Sequence, residues 1–143
     1  MQRLAGDTAG ATATADQARR IFEQLYNNQP DNSVFAANLS QAYAAMGEKD
    51  SAVKAAERAI ILLPRVKDRV HGPTLEENLA LIQTVFGENS RAISTLTQLL
   101  QTPYSGGYYY IAPITPALLR LDPIWDPLRS DPAFQKLCEE KAK

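Results

Sequence analysis

Apolar positions recur at helical spacing through most of the chain, and the pattern is interrupted at regular intervals. The clearest stretch runs from residue 33 to 64. Ala36, Leu39, Tyr43 and Met46 fall on one stripe, which predicts a helix over Ser33 to Met46 ended by Gly47 as a left-handed cap. A second helix follows at once, capped or opened by Asp50 or Ser51. Its stripe is Ala52, Val53, Ala56, Ala59, Ile60 and Leu63, and Pro64 stops it. Two helices joined by so short a Gly turn make an antiparallel hairpin, and the small residues Ala52, Ala56 and Ala59 let a neighbouring helix come close.

The same arrangement returns further along. Leu75, Leu79, Ile82 and Phe86 form a stripe over Thr74 to Phe86, Gly87 makes the turn, and Ala92, Ile93, Leu96, Leu99 and Leu100 form the partner helix closed by Pro103. Before the middle hairpin, Ala18, Phe22 and Leu25 mark one more helix, ending at Pro30. Its first helix is nearly missing, since only Met1 to Ala5 precede Gly6. Gly6-Asp7 with Ala11, Gly47-Glu48 with Ala52, and Gly87-Glu88 with Ala92 thus repeat at 41 and 40 residues. A fixed period of this size marks stacked supersecondary units, none of which buries its apolar face alone. Between the second and third units, Arg65 to Pro73 reads as a turn-rich insertion with Gly72-Pro73 as breaker.

Beyond Pro103 the period is lost. Tyr104 to Tyr110 carries Gly106-Gly107 and four tyrosines, and five prolines then exclude long helices. Thr115 can cap a short helix from Pro116 to Arg120. Ser130 or Asp131 can cap a last one opening at Pro132, with Phe134, Leu137 and Cys138 on one face.

Leu39, Tyr43, Gly47, Ala52, Ala59 and Pro64 resemble the signature of the tetratricopeptide repeat, with Leu79, Gly87 and Ala92 continuing it in the next unit. Ala36 stands where tryptophan is frequent in that family, Ala56 where an aromatic is frequent, and Gln83 replaces the tyrosine in the third unit. The run from Leu118 through Asp122-Pro123, Trp125-Asp126-Pro127 and Asp131-Pro132 to Phe134, with Leu62-Leu63-Pro64, Lys67-Asp68 and Gly72-Pro73, is similar to the C-terminal repeat region of bacterial multidomain signalling proteins. In those the repeats follow a kinase, adenylate cyclase or winged-helix regulator domain. The resemblance implies an all-α right-handed stack of antiparallel hairpins closed by an irregular Pro, Tyr and Trp-rich cap. It would form one domain over 1–143: a partial repeat at 1–30, repeats at 31–64 and 73–103, and a cap at 104–143. It also implies a protein-binding scaffold that performs no chemistry.

Composition narrows the partners without naming one. Fifteen Lys plus Arg stand against 16 Asp plus Glu, giving a formal charge of -1, which supplies no field for a nucleic acid. No run approaches the ~20 apolar residues of a membrane span, and residues 1 to 15 lack the hydrophobic block of a secretory signal. A single cysteine, Cys138, excludes an internal disulfide framework and fits a reducing compartment, with the cytoplasm as expected location.

In a helical stack the first helix of each unit lines the concave side. Opposite Leu39 and Tyr43 lie Val34, Ala37, Asn38, Gln41 and Ala45, and 40 residues on lie Thr74, Glu77, Asn78, Leu81 and Val85. These are the expected peptide-binding residues. Asn38 and Asn78 coincide in register, and their carboxamides either clamp a peptide backbone or bond locally. Neither inner helix has a Lys or Arg, so the groove suits apolar or neutral ligands and not the acidic tails that some tetratricopeptide adaptors grip. Leu81 and Val85 give the third unit a second apolar face, to be covered by a partner, a symmetry mate or the chain's own tail. The tail is the expected cover, with Trp125 as its anchor and the tyrosines beside it, at least one of Tyr108 to Tyr110 staying exposed. Ile21, Phe22 and Leu25, uncovered by any preceding helix, offer a homodimer surface as the alternative.

His71 beside Gly72 is expected to be a solvated loop residue, with no Asp or Ser spaced to activate it. Arg65, Lys67 and Arg69 form a basic strip broken by Asp68. Cys138 is expected to be a buried thiol. No Cys or His pair has metal spacing and no Gly-rich loop follows a strand, so no metal, cofactor or catalytic residue is expected.

Overall fold

A computed structural model describes residues 8–104 and 113–139. The fold is all-α: seven α-helices and one 3₁₀ helix occur among the described residues, and no strand does. The helices are α1 (Thr8–Asn28), α2 (Ser33–Ala45), α3 (Lys49–Leu62), α4 (Gly72–Val85), α5 (Asn89–Leu100), α6 (Pro116–Leu121), the 3₁₀ helix (Pro123–Leu128) and α7 (Pro132–Glu139). They divide into two compact units, 1–62 and 63–143. The division falls beside Pro64, where the middle repeat is expected to stop.

In the first unit α2 packs on both α1 and α3. Asn32 opens α2, its Oδ1 accepting from the Val34 and Phe35 amides at 3.0 and 3.2 Å. The helix ends where the sequence requires. Gly47 takes φ 79°, its amide donates to the Ala44 carbonyl at 3.0 Å, and the Glu48 amide donates to Tyr43 at 3.0 Å, the paired bonds of a Schellman cap. Ala52, Ala56 and Ala59 on α3 are fully buried, so the hairpin closes on methyl groups. Val53 and Ile60 are only half-buried, and Leu63 lies past the end of α3 instead of on its stripe.

The second unit repeats the turn. Gly87 takes φ 74°, its amide donates to Thr84 at 3.2 Å, and the Glu88 amide donates to Gln83 at 2.9 Å. In both hairpins the next helix is entered by the same bond, Ala52 to the Glu48 carbonyl and Ala92 to the Glu88 carbonyl, each at 3.0 Å. The third expected turn, at Gly6-Asp7, lies outside the described residues.

One expectation is corrected at the start of α4. Gly72-Pro73 begins the helix instead of breaking the chain before it, because proline in the first turn forfeits no intrahelical bond. Gly72 is buried against the loop: a Cβ there would lie 2.7 Å from the Arg65 Cα and 2.8 Å from its nitrogen. Backbone meets backbone, and only glycine fits.

The core of the second unit joins α4 and α5 to the C-terminal elements. Leu81, Leu96, Leu119, Trp125, Leu128 and Phe134 belong to one buried cluster, with the large aromatics fully enclosed. Thr115 caps α6, its hydroxyl accepting from the Leu118 amide at 3.2 Å. Of the two residues able to open α7, Asp131 does so, accepting from the Ala133 amide at 2.9 Å. The 3₁₀ helix is opened by Asp122, which accepts from the Ile124 amide at 2.9 Å. It explains how Trp125 sits between two Asp-Pro steps and still packs inward.

Candidate functional site

The expected peptide-binding residues meet two different environments. On α2, Val34 is 51% exposed and Gln41 is exposed, Asn38 and Ala45 are half-buried, and Ala37 is fully buried and offers a partner nothing. On α4 the counterparts Thr74, Glu77, Asn78 and Leu81 are all buried, and only Val85, at 56%, remains open. In this structure, therefore, the α4 residues do not present the open face that the repeat register suggests, and Val85 is not covered as Leu81 is.

The cause on α4 is the chain itself. Leu81 enters the buried cluster with Trp125 and Leu128, and the 3₁₀ helix packs on α4. Tyr104, itself buried, donates its hydroxyl to Glu77 Oε2 at 2.8 Å and accepts from the Ile114 amide at 3.0 Å. That hydroxyl joins the Ile114 amide to Glu77 of α4. A carboxylate removed from water needs such donors. Of the expected cover, Tyr104 and Trp125 share the buried cluster with Leu81, as does Ile114, which the sequence did not single out, while Val85 stays uncovered. Gly106-Gly107 and Tyr108 to Tyr110 lie outside the described residues.

A polar network in the first unit escaped the sequence reading. Arg19 donates from Nη2 to Asp16 Oδ1 and from Nη1 to Glu23 Oε2, both at 2.8 Å, and Tyr43 donates its hydroxyl to Glu23 Oε1 at 2.7 Å. Burial, then the Glu23 carboxylate, push Tyr43 up to about 12. The Tyr43 hydroxyl first and Arg19 second hold Glu23 below its ordinary range, and Arg19 with Arg20 does the same for Asp16. Only the spacings 16, 19 and 23 signalled the part within α1. The link to Tyr43, 20 residues away, had no signal in the sequence.

A cleft of about 290 Å³ opens in the same unit. Buried Ala36 and Leu39 and half-buried Tyr43 of α2 form its floor, and Tyr26 of α1 with Ser51, Lys54, Ala55 and Arg58 of α3 complete its lining. By helical periodicity this floor is on the opposite side of α2 from Val34, Asn38 and Gln41. Ala36, the residue standing where the family resemblance expects a tryptophan, lies in the floor.

His71 is exposed as expected, but a carboxylate does reach it. Asp68 Oδ2 lies 2.9 Å from His71 Nδ1, while Oδ1 accepts from the Val70 and His71 amides at 2.9 and 2.8 Å. These bonds hold Asp68 below the usual carboxylate range, the backbone contact at His71 contributing most. The pair organises the loop at the entry to α4. Arg65 of the basic strip is engaged as well, donating twice to Glu76 at 2.7 and 2.8 Å and once to Thr102 at 3.0 Å. Cys138 is buried, and burial pushes its thiol up, away from thiolate chemistry.

Among the described residues no three His, Cys, Asp or Glu side chains converge as a metal site would need. No described helix is long and apolar enough to cross a membrane. Compared with family models, with curated proteins and with solved structures, the chain matches none.

Proposed function

We propose that this chain is a non-catalytic protein-interaction module of tetratricopeptide type, its hairpins forming a right-handed stack that holds a partner polypeptide along the outward face of α2. In this reading the module serves a larger bacterial signalling protein in the cytoplasm and needs no cofactor. One observation carries it: Val34 and Gln41 stand exposed on a helix face without a Lys or Arg, while on α4 Glu77 and Leu81 are engaged by Tyr104 and Trp125 of the chain's own tail. A face that is neutral, partly apolar and rigidly backed by a helix fits extended or helical peptide better than a charged ligand. Two identical turns 40 residues apart support the repeat character.

Selection of a displayed random-peptide library tests this. Enriched peptides are expected to be neutral and apolar, and to lose at least about tenfold in affinity on Val34→Asp with Gln41→Arg. Peptides indifferent to that double variant remove the α2 face from consideration.

A second reading has its own support. Ile21 is 50% exposed on α1, with Phe22 and Leu25 half-buried beside it, as a self-association surface requires. Light scattering over a concentration series decides: dimer formation abolished by Ile21→Glu favours it, and a monomer throughout eliminates it.

A further inference from the structure

We propose that the cleft between α1, α2 and α3 is a second binding site, and that its ligand is a partner peptide carrying a bulky apolar side chain next to an Asp or Glu. The floor of Ala36, Leu39 and Tyr43 is apolar but for one hydroxyl, and that hydroxyl is already committed to Glu23. The rim is cationic. Lys54 and Arg58 stand one turn apart on α3, both exposed, and neither forms an ion pair among the described residues. The contrast within the unit is direct, since Arg19 and Arg20 are both held by Asp16.

Two like charges at this spacing repel each other mildly, and an anion placed between them relieves that repulsion. Asp50 and Glu57, the nearest acids on α3, make no ion pair with them. Charge complementarity therefore selects a carboxylate, and the floor selects an apolar group beside it. The cleft is open on one side and, at about 290 Å³, lies at the lower end of ligand-pocket size. It cannot enclose most of a free small molecule, whereas one side chain of a polypeptide brings its own neighbouring surface to complete the contact. The site is thus opposite in charge preference to the α2 face and stands whether or not that face binds anything.

Fluorescence anisotropy with three labelled twelve-residue Gly-Ser peptides tests it: one with a central Phe flanked by Glu, one with Gln in place of Glu, and one with Ala in place of Phe. Binding of the first, with about tenfold or greater loss for each of the others and for Lys54→Gln with Arg58→Gln, is the expected result. Amide shifts on peptide addition should centre on Ser51 to Arg58. Ala36→Phe, which fills the floor, should block binding too, and because that variant can also unfold the hairpin, the surface double variant decides. No binding by any peptide, equal binding to the double variant, shifts centred on Val34 and Gln41, or phenylacetate binding as tightly as the peptide each overturns the proposal.

Discussion

The helix ending at Gly47 and the helix ending at Gly87 share a cap down to the pairing of individual amides, yet their outward sides differ. At equivalent positions one carries Gln41 exposed to solvent and the other Leu81 sunk in a core. Asn38 is half-buried and Asn78 fully so. Turn geometry thus depends on a glycine and the alanine five residues after it, whereas the use of the face depends on one or two side chains between. A repeat can keep its backbone and exchange a recognition surface for a packing surface.

The largest effect should come from removing what closes the α4 face. Trp125→Ala deletes a fully buried indole and is expected to cost about 3–5 kcal/mol in chemical denaturation, and a loss under 1 kcal/mol would mean that α4 does not depend on this cover. Next, Tyr104→Phe takes one donor from buried Glu77 and the acceptor from the Ile114 amide, at about 1–3 kcal/mol. Glu77→Gln should recover little of that. The same changes have no counterpart on α2, which sharpens the contrast between the units.

The shared turn yields a matched pair. Gly47→Ala and Gly87→Ala have similar positive φ, 79° and 74°, and open space around the added methyl, so each should cost roughly 1–2 kcal/mol by backbone strain alone. Gly47→Val should cost more. Clearly unequal losses for the two alanine variants would show that the caps are alike in shape and not in energy.

The smallest effect is the pH response of the first unit. Glu23 and Asp16 sit below their ordinary values, so their contribution is full above the usual carboxylate range and fades as pH falls through the depressed native values. Tyr43, raised to about 12 from 10.0, contributes fully below 10 and loses its contribution between 10 and 12. Tyr43→Phe should flatten the alkaline limb of a stability-against-pH curve, and an unchanged limb would disconnect Tyr43 from it.

Helices, turns and their Gly caps were legible because each depends on neighbours three to five residues apart, as at Leu39, Tyr43 and Gly47. Ser33 to Met46 differs from α2 by one cap residue. Gly72-Pro73 reads as a breaker because the same dipeptide serves a loop and a helix start, and only the close approach of Arg65 separates the two. The face of α4 was half legible. Leu81 announced a second apolar side, but the partner of Glu77 stands 27 residues away at Tyr104, and no local rule pairs them. The cleft is the converse case, where Ala36, on the predicted stripe and in place of the family's frequent tryptophan, lines a cavity.

Cys138 is the sole thiol of the chain and is shut inside the second unit, its acidity suppressed by that enclosure. Glu48, at the tip of the first hairpin, points into water. A cysteine engineered at that tip would accordingly take a maleimide dye while the native one stays silent. A single-colour reporter could then be planted within reach of both faces of α2, and the competing partners told apart in one titration.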